Sequence, residues 1–345
     1  MTRALDDAHK DLAGAVAKGD YGNVVHLVFR HGARGPSKNA VAALEGTKIA
    51  ESWPKEELEE LTPHGLDQCV TLGECFGQAI VSAAKGDAAP PRVTWHSSPI
   101  DRTISSGKAF LEGLASVGAL GEAPPSFDEP EPAGDHDPRL LYRGFTEVQE
   151  YKDALARLRA GPEFEAFGKE AEPRLVTIKP SLMDIFDTWA QRINVTTYME
   201  ELMDCEAARS ADEPRVLHEL NPPEVRETIT GMAQWCWSKR FFELEECKTL
   251  AQPLLSYIQS TFVDTADAAP LHIYLHSAHD YSILLLLQQL GLESYPTGPT
   301  LGYGGFLVLG SNGKSALNPR PFHGRDLSVD SNAAVQVPGV PAPAI

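Results

Sequence analysis

Two arginines bracket a histidine in Arg30-His31-Gly32-Ala33-Arg34-Gly35-Pro36. An arginine's planar fork matches phosphate oxygens two at a time. A histidine between two such forks can attack a phosphorus atom that they hold. The competing reading is a strand followed by a basic surface turn. Two other polar segments carry groups of the same kind. One is His96-Ser97-Ser98-Pro99-Ile100-Asp101-Arg102, and the other is Ser277-Ala278-His279-Asp280. Arg102 either pairs with its neighbour Asp101 on the surface or stands at a helix start, where guanidinium and helix terminus both face an anion. A His-Asp dipeptide is common and carries little weight alone.

Each segment needs an element to present it. Val24 to Phe29 is an apolar, β-branched run, which favours a buried strand. Gly32, Gly35 and Pro36 then force a turn. Arg92 to Trp95 and Leu271 to His276 read as two further strands, each running into a polar turn and then a helix. The last helix, Tyr281 to Leu290, is closed by Gly291. Ligands bind at the carboxyl ends of strands in α/β sheets, so a parallel sheet would gather the three turns. Between the first two strands, Thr62 is placed to cap a helix that opens on Pro63. That helix would turn Leu66, Val70, Leu72, Gly73 and Phe76 to the core. His26, His272 and His276 fall on strands and read as core or sheet-face residues.

Residues 121–138 are rich in Pro, Glu, Asp and Gly and read as a loop. Helical patterns follow over Val148 to Leu158, Leu182 to Cys205, Val225 to Phe242 and Leu250 to Phe262. The spacing of Leu182, Ile185, Phe186 and Trp189 fits one apolar stripe. The expected organisation is an α/β core, 1–120 and 262–320, interrupted by a mostly helical cap over 121–261. Gly302 to Leu309 reads as a final edge strand, and residues 321–345 as a disordered tail.

The 345 residues carry 30 Lys and Arg against 48 Asp and Glu, a net charge of −18. That balance argues against nucleic acid or an anionic membrane as the main partner. A phosphate pocket in such a chain must make its own positive field. The longest apolar run, Ile283 to Leu287, is far too short to span a bilayer. The first twenty residues lack the apolar segment of a signal peptide. The expectation is an intracellular protein, or one whose export signal lies outside this sequence. Cys69, Cys75, Cys205, Cys236 and Cys247 read as buried thiols, with one or two disulfides as the alternative in a secreted protein. Asn194-Val195-Thr196 is a sequon that matters only in that case. There is no P-loop, metal-ligand spacing or dinucleotide fingerprint.

The turn after the first strand resembles the R-H-G-x-R-x-P signature of the histidine acid phosphatases, the second branch of the histidine phosphatase superfamily. Arg30, His31, Gly32, Arg34 and Pro36 fill its fixed places. Leu61 to Gly73 is similar to the family's L-T-x-x-G-x-x-Q…L-G segment, and Ser97 to Ser106 to its S-S-x-x-x-R-x-x-x-S segment. His279-Asp280 resembles its catalytic His-Asp pair. The resemblance implies a phosphoglycerate-mutase-like fold: a central, mostly parallel sheet flanked by helices, with an inserted helical cap. It implies His31 as nucleophile, Asp280 as proton donor, and Arg30, Arg34, Arg102 and His279 as phosphate ligands. No cofactor or metal is implied. The implied partner is a small phosphomonoester, and the chain could be a monomer or a homodimer. Relatives are often secreted or lysosomal. Two features depart from many relatives. Leu250-Ala251-Gln252-Pro253 stands where they have Gly-Gly, and Gly305-Phe306-Leu307-Val308 lacks their glutamate on the last strand.

Two other classes compete. A mutase-like phosphotransferase of the sister branch shares Arg-His-Gly but not the following Arg-x-Pro. A binding protein that only keeps the fold should have lost one of His31, Arg34, Arg102 or Asp280, and all four are present.

Overall fold

The computed structural model describes residues 7–43, 51–84, 89–120, 148–178, 189–207, 223–262, 270–291, 301–318 and 335–336. Helix α1 (Asp7–Ala17) leads into strand β1 (Val24–Arg30) and the short α2 (Lys38–Ala43). Then come α3 (Pro63–Ala83), β2 (Arg92–Ser97) and α4 (Asp101–Ser116). The next helices are α5 (Gln149–Arg159), α6 (Pro162–Ile178), α7 (Trp189–Ala207), α8 (Pro223–Ser238) and α9 (Gln252–Thr261). A π-helical turn, Lys239–Glu243, and a 3-10 turn, Glu245–Thr249, join the last two. The chain closes with β3 (His272–Ala278), α10 (Asp280–Gln289), β4 (Phe306–Gly310), β5 (Ser315–Asn318) and β6 (Val335–Gln336).

Among the described residues the strands form one six-stranded sheet in the order β2-β3-β1-β4-β5-β6. β3 runs parallel to both β1 and β2, while β4, β5 and β6 continue antiparallel. The sheet is therefore parallel where the three motif-bearing strands lie side by side. The register levels their ends: Arg30 lies opposite Ala278, and Ser97 opposite Ser277. His31, Ser98 and His279 each follow one residue beyond a strand tip.

Side chains alternate across β1 as a pleated strand requires. Val25, Leu27 and Phe29 pack with Leu72, Phe76, Phe110 and Leu114 of α3 and α4. Val28, on the other face, packs with Leu254, Leu255 and Ile258 of α9 and Ile283, Leu286 and Leu287 of α10. Thr62 caps α3 as its sequence implies, its hydroxyl accepting from the Gly65 amide at 3.0 Å.

Several expectations need correction. β4 is not an edge: β1 and β5 flank it and all five of its residues are buried. The short Ser-Ala-Leu-Asn strand that covers it lacks the length for a clear sequence signal. Leu66 is 39% exposed, so the buried stripe of α3 runs through Cys69, Leu72, Phe76 and Ile80 instead. Helix α6 was missed, although Pro162 and the acidic Glu163 and Glu165 make a good helix start. The cysteines need no correction: among the described residues none forms a disulfide and all but Cys75 are buried, in line with the buried-thiol reading. The expected loop at 121–138 and the stripe residues Leu182, Ile185 and Phe186 lie outside the described residues, as does most of 321–345. Within that last stretch, Val335–Gln336 pairs with β5.

His26 and His276 form a buried pair on the α9 face of the sheet, with Nδ1 of His26 2.8 Å from Nε2 of His276. Thr261 gives its hydroxyl proton to the Ile258 carbonyl, so His26 Nε2 must donate to the Thr261 oxygen at 2.7 Å. His26 Nδ1 is then the acceptor, and His276 donates to it. Both rings are held neutral. Burial pushes each well below the ordinary 6.5, helped by His96 on both, by His272 on His26, and by His26 on His276. Tyr274 stacks on His26, and the Tyr257 hydroxyl bonds His96. In the unfolded chain the rings bind protons near 6.5, so acid favours unfolding. Stability is full above that value and falls below it, by up to about 1.4 kcal/mol per pH unit for each ring, until the folded-state values are reached. Thermal melts from about pH 7.5 down to about pH 5 should show a falling midpoint; a flat or rising profile would contradict this account.

Candidate active site

The turn after β1 is held by close backbone contacts that explain its glycines. A Cβ on Gly32 would lie 2.2 Å from the Gly65 carbonyl oxygen, and one on Gly65 would lie 2.1 Å from that of Ala33. Either clash is with backbone, which cannot swing away. The start of α3 therefore presses directly on the turn. Gln68 accepts from the Ala33 amide at 2.9 Å, and the Thr62 hydroxyl donates to the Ala33 carbonyl at 3.0 Å. From α4, the Ser106 hydroxyl accepts from the Gly32 amide at 3.1 Å. The glycine, threonine, glutamine and serine of the flanking segments thus act as braces for residues 31–33.

His31 is 2% exposed. Its Nδ1 lies 2.8 Å from the Gly32 carbonyl oxygen, and its Nε2 receives the Arg102 Nε–H at 3.3 Å. A carbonyl can only accept, so Nδ1 carries the proton and Nε2 keeps its lone pair. Burial holds the ring well below its ordinary pKa, and Arg102, His279, Arg34 and Arg30 push in the same direction. His31 stays neutral, with Nε2 facing Arg102 and the other polar side chains of the cleft.

Those side chains come from all three motifs. Arg30, Arg34, Arg102 and His279 are each buried, and all line one cleft with His31 and Asp280. Arg102 sits in the first turn of α4 and contacts His31, so the surface pairing with Asp101 is not its role. His279 precedes α10 and lies 5.5 Å from His31 between ring centroids. Its Nε2 is 2.9 Å from the Ser98 hydroxyl, which in turn meets that of Thr103 at 2.7 Å. Asp280 opens α10, accepts from the Tyr281 amide at 2.8 Å and pairs with Arg30 at 3.1 Å. Burial alone would weaken the charge on Arg30, but Asp280, Tyr303 and Asp204 together outweigh it and raise the pKa. Among the described residues the buried Nε of Arg30 and of Arg34 has no hydrogen-bond acceptor. Such donors are costly unless an anion meets them.

The sequence did not reveal three participants. Glu201 on α7 accepts from Arg34 at 3.0 Å, from the Ser37 amide at 2.6 Å and from the Ser37 hydroxyl at 3.0 Å. Burial works most strongly against Arg34, and Glu201 with Tyr303, Cys205 and Asp280 together outweigh it, so that its pKa rises. Tyr303 slides beneath Arg30, whose Cζ stands 4.2 Å from the ring centroid. Ser98 orients His279. Ser98 was part of a recognisable segment, whereas Glu201 is one of 48 acidic residues and nothing nearby marks it. Replacing Glu201 by alanine should strand a largely buried guanidinium and lower stability by about 2 to 4 kcal/mol. Urea unfolding measures this; a change within about 0.5 kcal/mol would assign the pair no structural role.

The cleft, of about 490 Å³, lies between the strand tips and the α5–α9 segment, which contributes Arg159, Trp237 and Arg240. Among the described residues no cluster of His, Cys, Asp and Glu could hold a metal ion, and no helix is long and apolar enough to cross a membrane.

Residues 23–160 match the family model of the histidine phosphatase superfamily (branch 2). The chain is 25% identical to the testicular acid phosphatase of Mus musculus, over 92% of this chain and 76% of that one. Its fold is similar to that of the Klebsiella sp ASR1 phytase, with a TM-score of 0.62 at 17% identity, over 86% of this chain and 81% of that one. The Hafnia alvei phytase, solved with myo-inositol hexakis sulphate, gives 0.60 at 18% identity, over 86% and 82%. The multiple inositol polyphosphate phosphatase of Bifidobacterium longum, solved with phosphate, gives 0.55 at 12% identity, over 96% and 89%. The stretch that matches the family model holds the Arg30–Pro36 turn, the braces on α3 and Arg102.

Proposed function

We propose that this phosphatase hydrolyses phosphate monoesters through a phosphohistidine on His31, with Asp280 as proton donor. The observation that carries the proposal is the state of His31. Its Nδ1 proton is committed to the Gly32 carbonyl, which leaves the Nε2 lone pair among three buried guanidinium groups.

In the first step Arg30, Arg34, Arg102 and His279 hold the phosphoryl oxygens and spread their charge. The Nε2 lone pair forms a bond to phosphorus as the ester P–O bond breaks. The departing oxygen takes a proton from Asp280, which an alkoxide leaving group requires. In the second step water attacks the phosphohistidine. Asp280, now a carboxylate, accepts the water proton, the P–N bond breaks and inorganic phosphate leaves. Two easier steps replace one hard one. The cationic side chains supply the charge that metal ions supply to phosphoryl transfer elsewhere.

The direct test is release of nitrophenol from p-nitrophenyl phosphate at acid pH with a chelator present. Turnover is expected; none from correctly folded protein would overturn the proposal. A mutase-like phosphotransferase would instead move phosphate between hydroxyl groups without net release.

A further inference from the structure

Arg30, His31 and Leu301 line the cleft, whereas Tyr303 is buried behind them. Residues 301–305 wrap the turn that carries the nucleophile. The Leu301 carbonyl accepts from Nη1 of Arg30, and the Gly305 carbonyl accepts from the Arg30 amide at 2.8 Å. The Gly304 amide donates to the His31 carbonyl at 3.3 Å. Gly304 makes that bond at a φ of 71°, where a side chain would be strained.

The Arg30 guanidinium stands over the Tyr303 ring, its Cζ 4.2 Å from the centroid, and the His31 ring lies 5.8 Å from the same centroid. Nη1 is committed to Leu301 and Nη2 to Asp280, while Nε has no acceptor among the described residues. The negative face of an aromatic ring attracts a cation without cancelling its charge. A carboxylate in that place would neutralise a group that has to meet an anion. The Tyr303 hydroxyl lies 3.2 Å from Sγ of Cys205 on α7. Burial pushes the Cys205 thiol up to about 12, and burial with Cys205 holds the Tyr303 hydroxyl well above its ordinary value. Both groups keep their protons, so the link adds no charge. Glu201 lies one turn earlier on α7 and holds Arg34. The same helix thus reaches two arginines of the site, Arg34 directly and Arg30 through Tyr303.

We propose that Tyr303 is a positioning residue of the reaction: its ring, anchored through Cys205 to α7, seats the Arg30 guanidinium so that Nε meets a phosphoryl oxygen beside Nε2 of His31. The inference rests on the phosphatase reading above. Tyr303 does not line the cleft, so it acts through Arg30 and not on the substrate. Its effect should therefore extend to inorganic phosphate, which has no leaving group.

The test measures binding of inorganic phosphate by calorimetry, and kcat and KM for p-nitrophenyl phosphate, with melting temperatures beside them. Y303M fills the space without a ring. It should bind phosphate about tenfold more weakly, and its kcat/KM should fall by about ten- to a hundredfold. Y303F keeps the ring, and C205A keeps the tyrosine. Each should lose no more than about threefold, and so should Y303F/C205A, because both changes remove the same bond. R30Q and R30Q/Y303M should bind phosphate equally. If Y303M does not fold, Y303L takes its place with the same expected losses. A lower melting temperature with phosphate affinity and KM unchanged would assign Tyr303 to packing alone and overturn the proposal. So would a loss in Y303F as large as that in Y303M, or a further loss of about tenfold from R30Q to R30Q/Y303M. A wild type that binds phosphate, more weakly in Y303M, yet cleaves no ester would overturn the hydrolytic reading and support the seating of Arg30.

Discussion

Replacing His31 by alanine should reduce turnover of every phosphomonoester by roughly 10⁴-fold or more, about 5.5 kcal/mol of transition-state stabilisation. The size follows from the role: among the described residues no neighbouring side chain presents a second neutral nucleophile to the same point. His279 is close, but its Nε2 is engaged by Ser98. The remaining arginines should still bind phosphate, so inhibition by inorganic phosphate should survive in the variant. Steady-state assays, with phosphate inhibition as a check on the folded site, measure both. Loss of less than about tenfold would deny His31 the nucleophile's part.

Asp280→Asn should separate substrates by their leaving groups. Asparagine keeps the shape, and its carbonyl oxygen can still accept from the Tyr281 amide. It cannot give a proton to a departing alkoxide. Alkyl phosphates should slow by roughly 10² to 10⁴-fold, the usual contribution of a general acid. Nitrophenyl phosphate, whose leaving group departs as a stable anion, should slow by no more than about tenfold. The substitution also removes the counter-charge of Arg30, now 3.1 Å away, so phosphate should bind at least as tightly. Equal losses on both esters would contradict the proton-donor role.

The two rings on the α9 face bear on the same assays. His31 stays neutral into acid, which favours attack there, while the neutral His26–His276 pair makes the fold less stable in acid. Activity profiles below about pH 5 should therefore be read beside melting curves.

The parallel half of the sheet was legible because each strand is an apolar run that stops abruptly at a polar turn. The three turns converge by topology alone, since parallel neighbours bring like ends together. The braces were legible only as letters. That Gly32 and Gly65 meet backbone to backbone is a long-range fact, which spacing along the chain does not carry. The helices between β2 and β3 were the least legible part. Glu201, Arg159 and Arg240 are ordinary charged residues on ordinary helices and turns, and only packing shows that one is committed to Arg34 while two face the cleft. The internal place of β4 was hidden because its partner, Ser315–Asn318, is four residues long.

The account turns on whether the phosphoryl group passes through residue 31. Rapid quenching during turnover of a radiolabelled ester, followed by peptide mapping, decides it. The account predicts label on the imidazole of His31, stable to alkali, lost in acid and missing from His31→Ala. Label on any other residue, or an active enzyme that is never labelled while water attacks the ester directly, would contradict it.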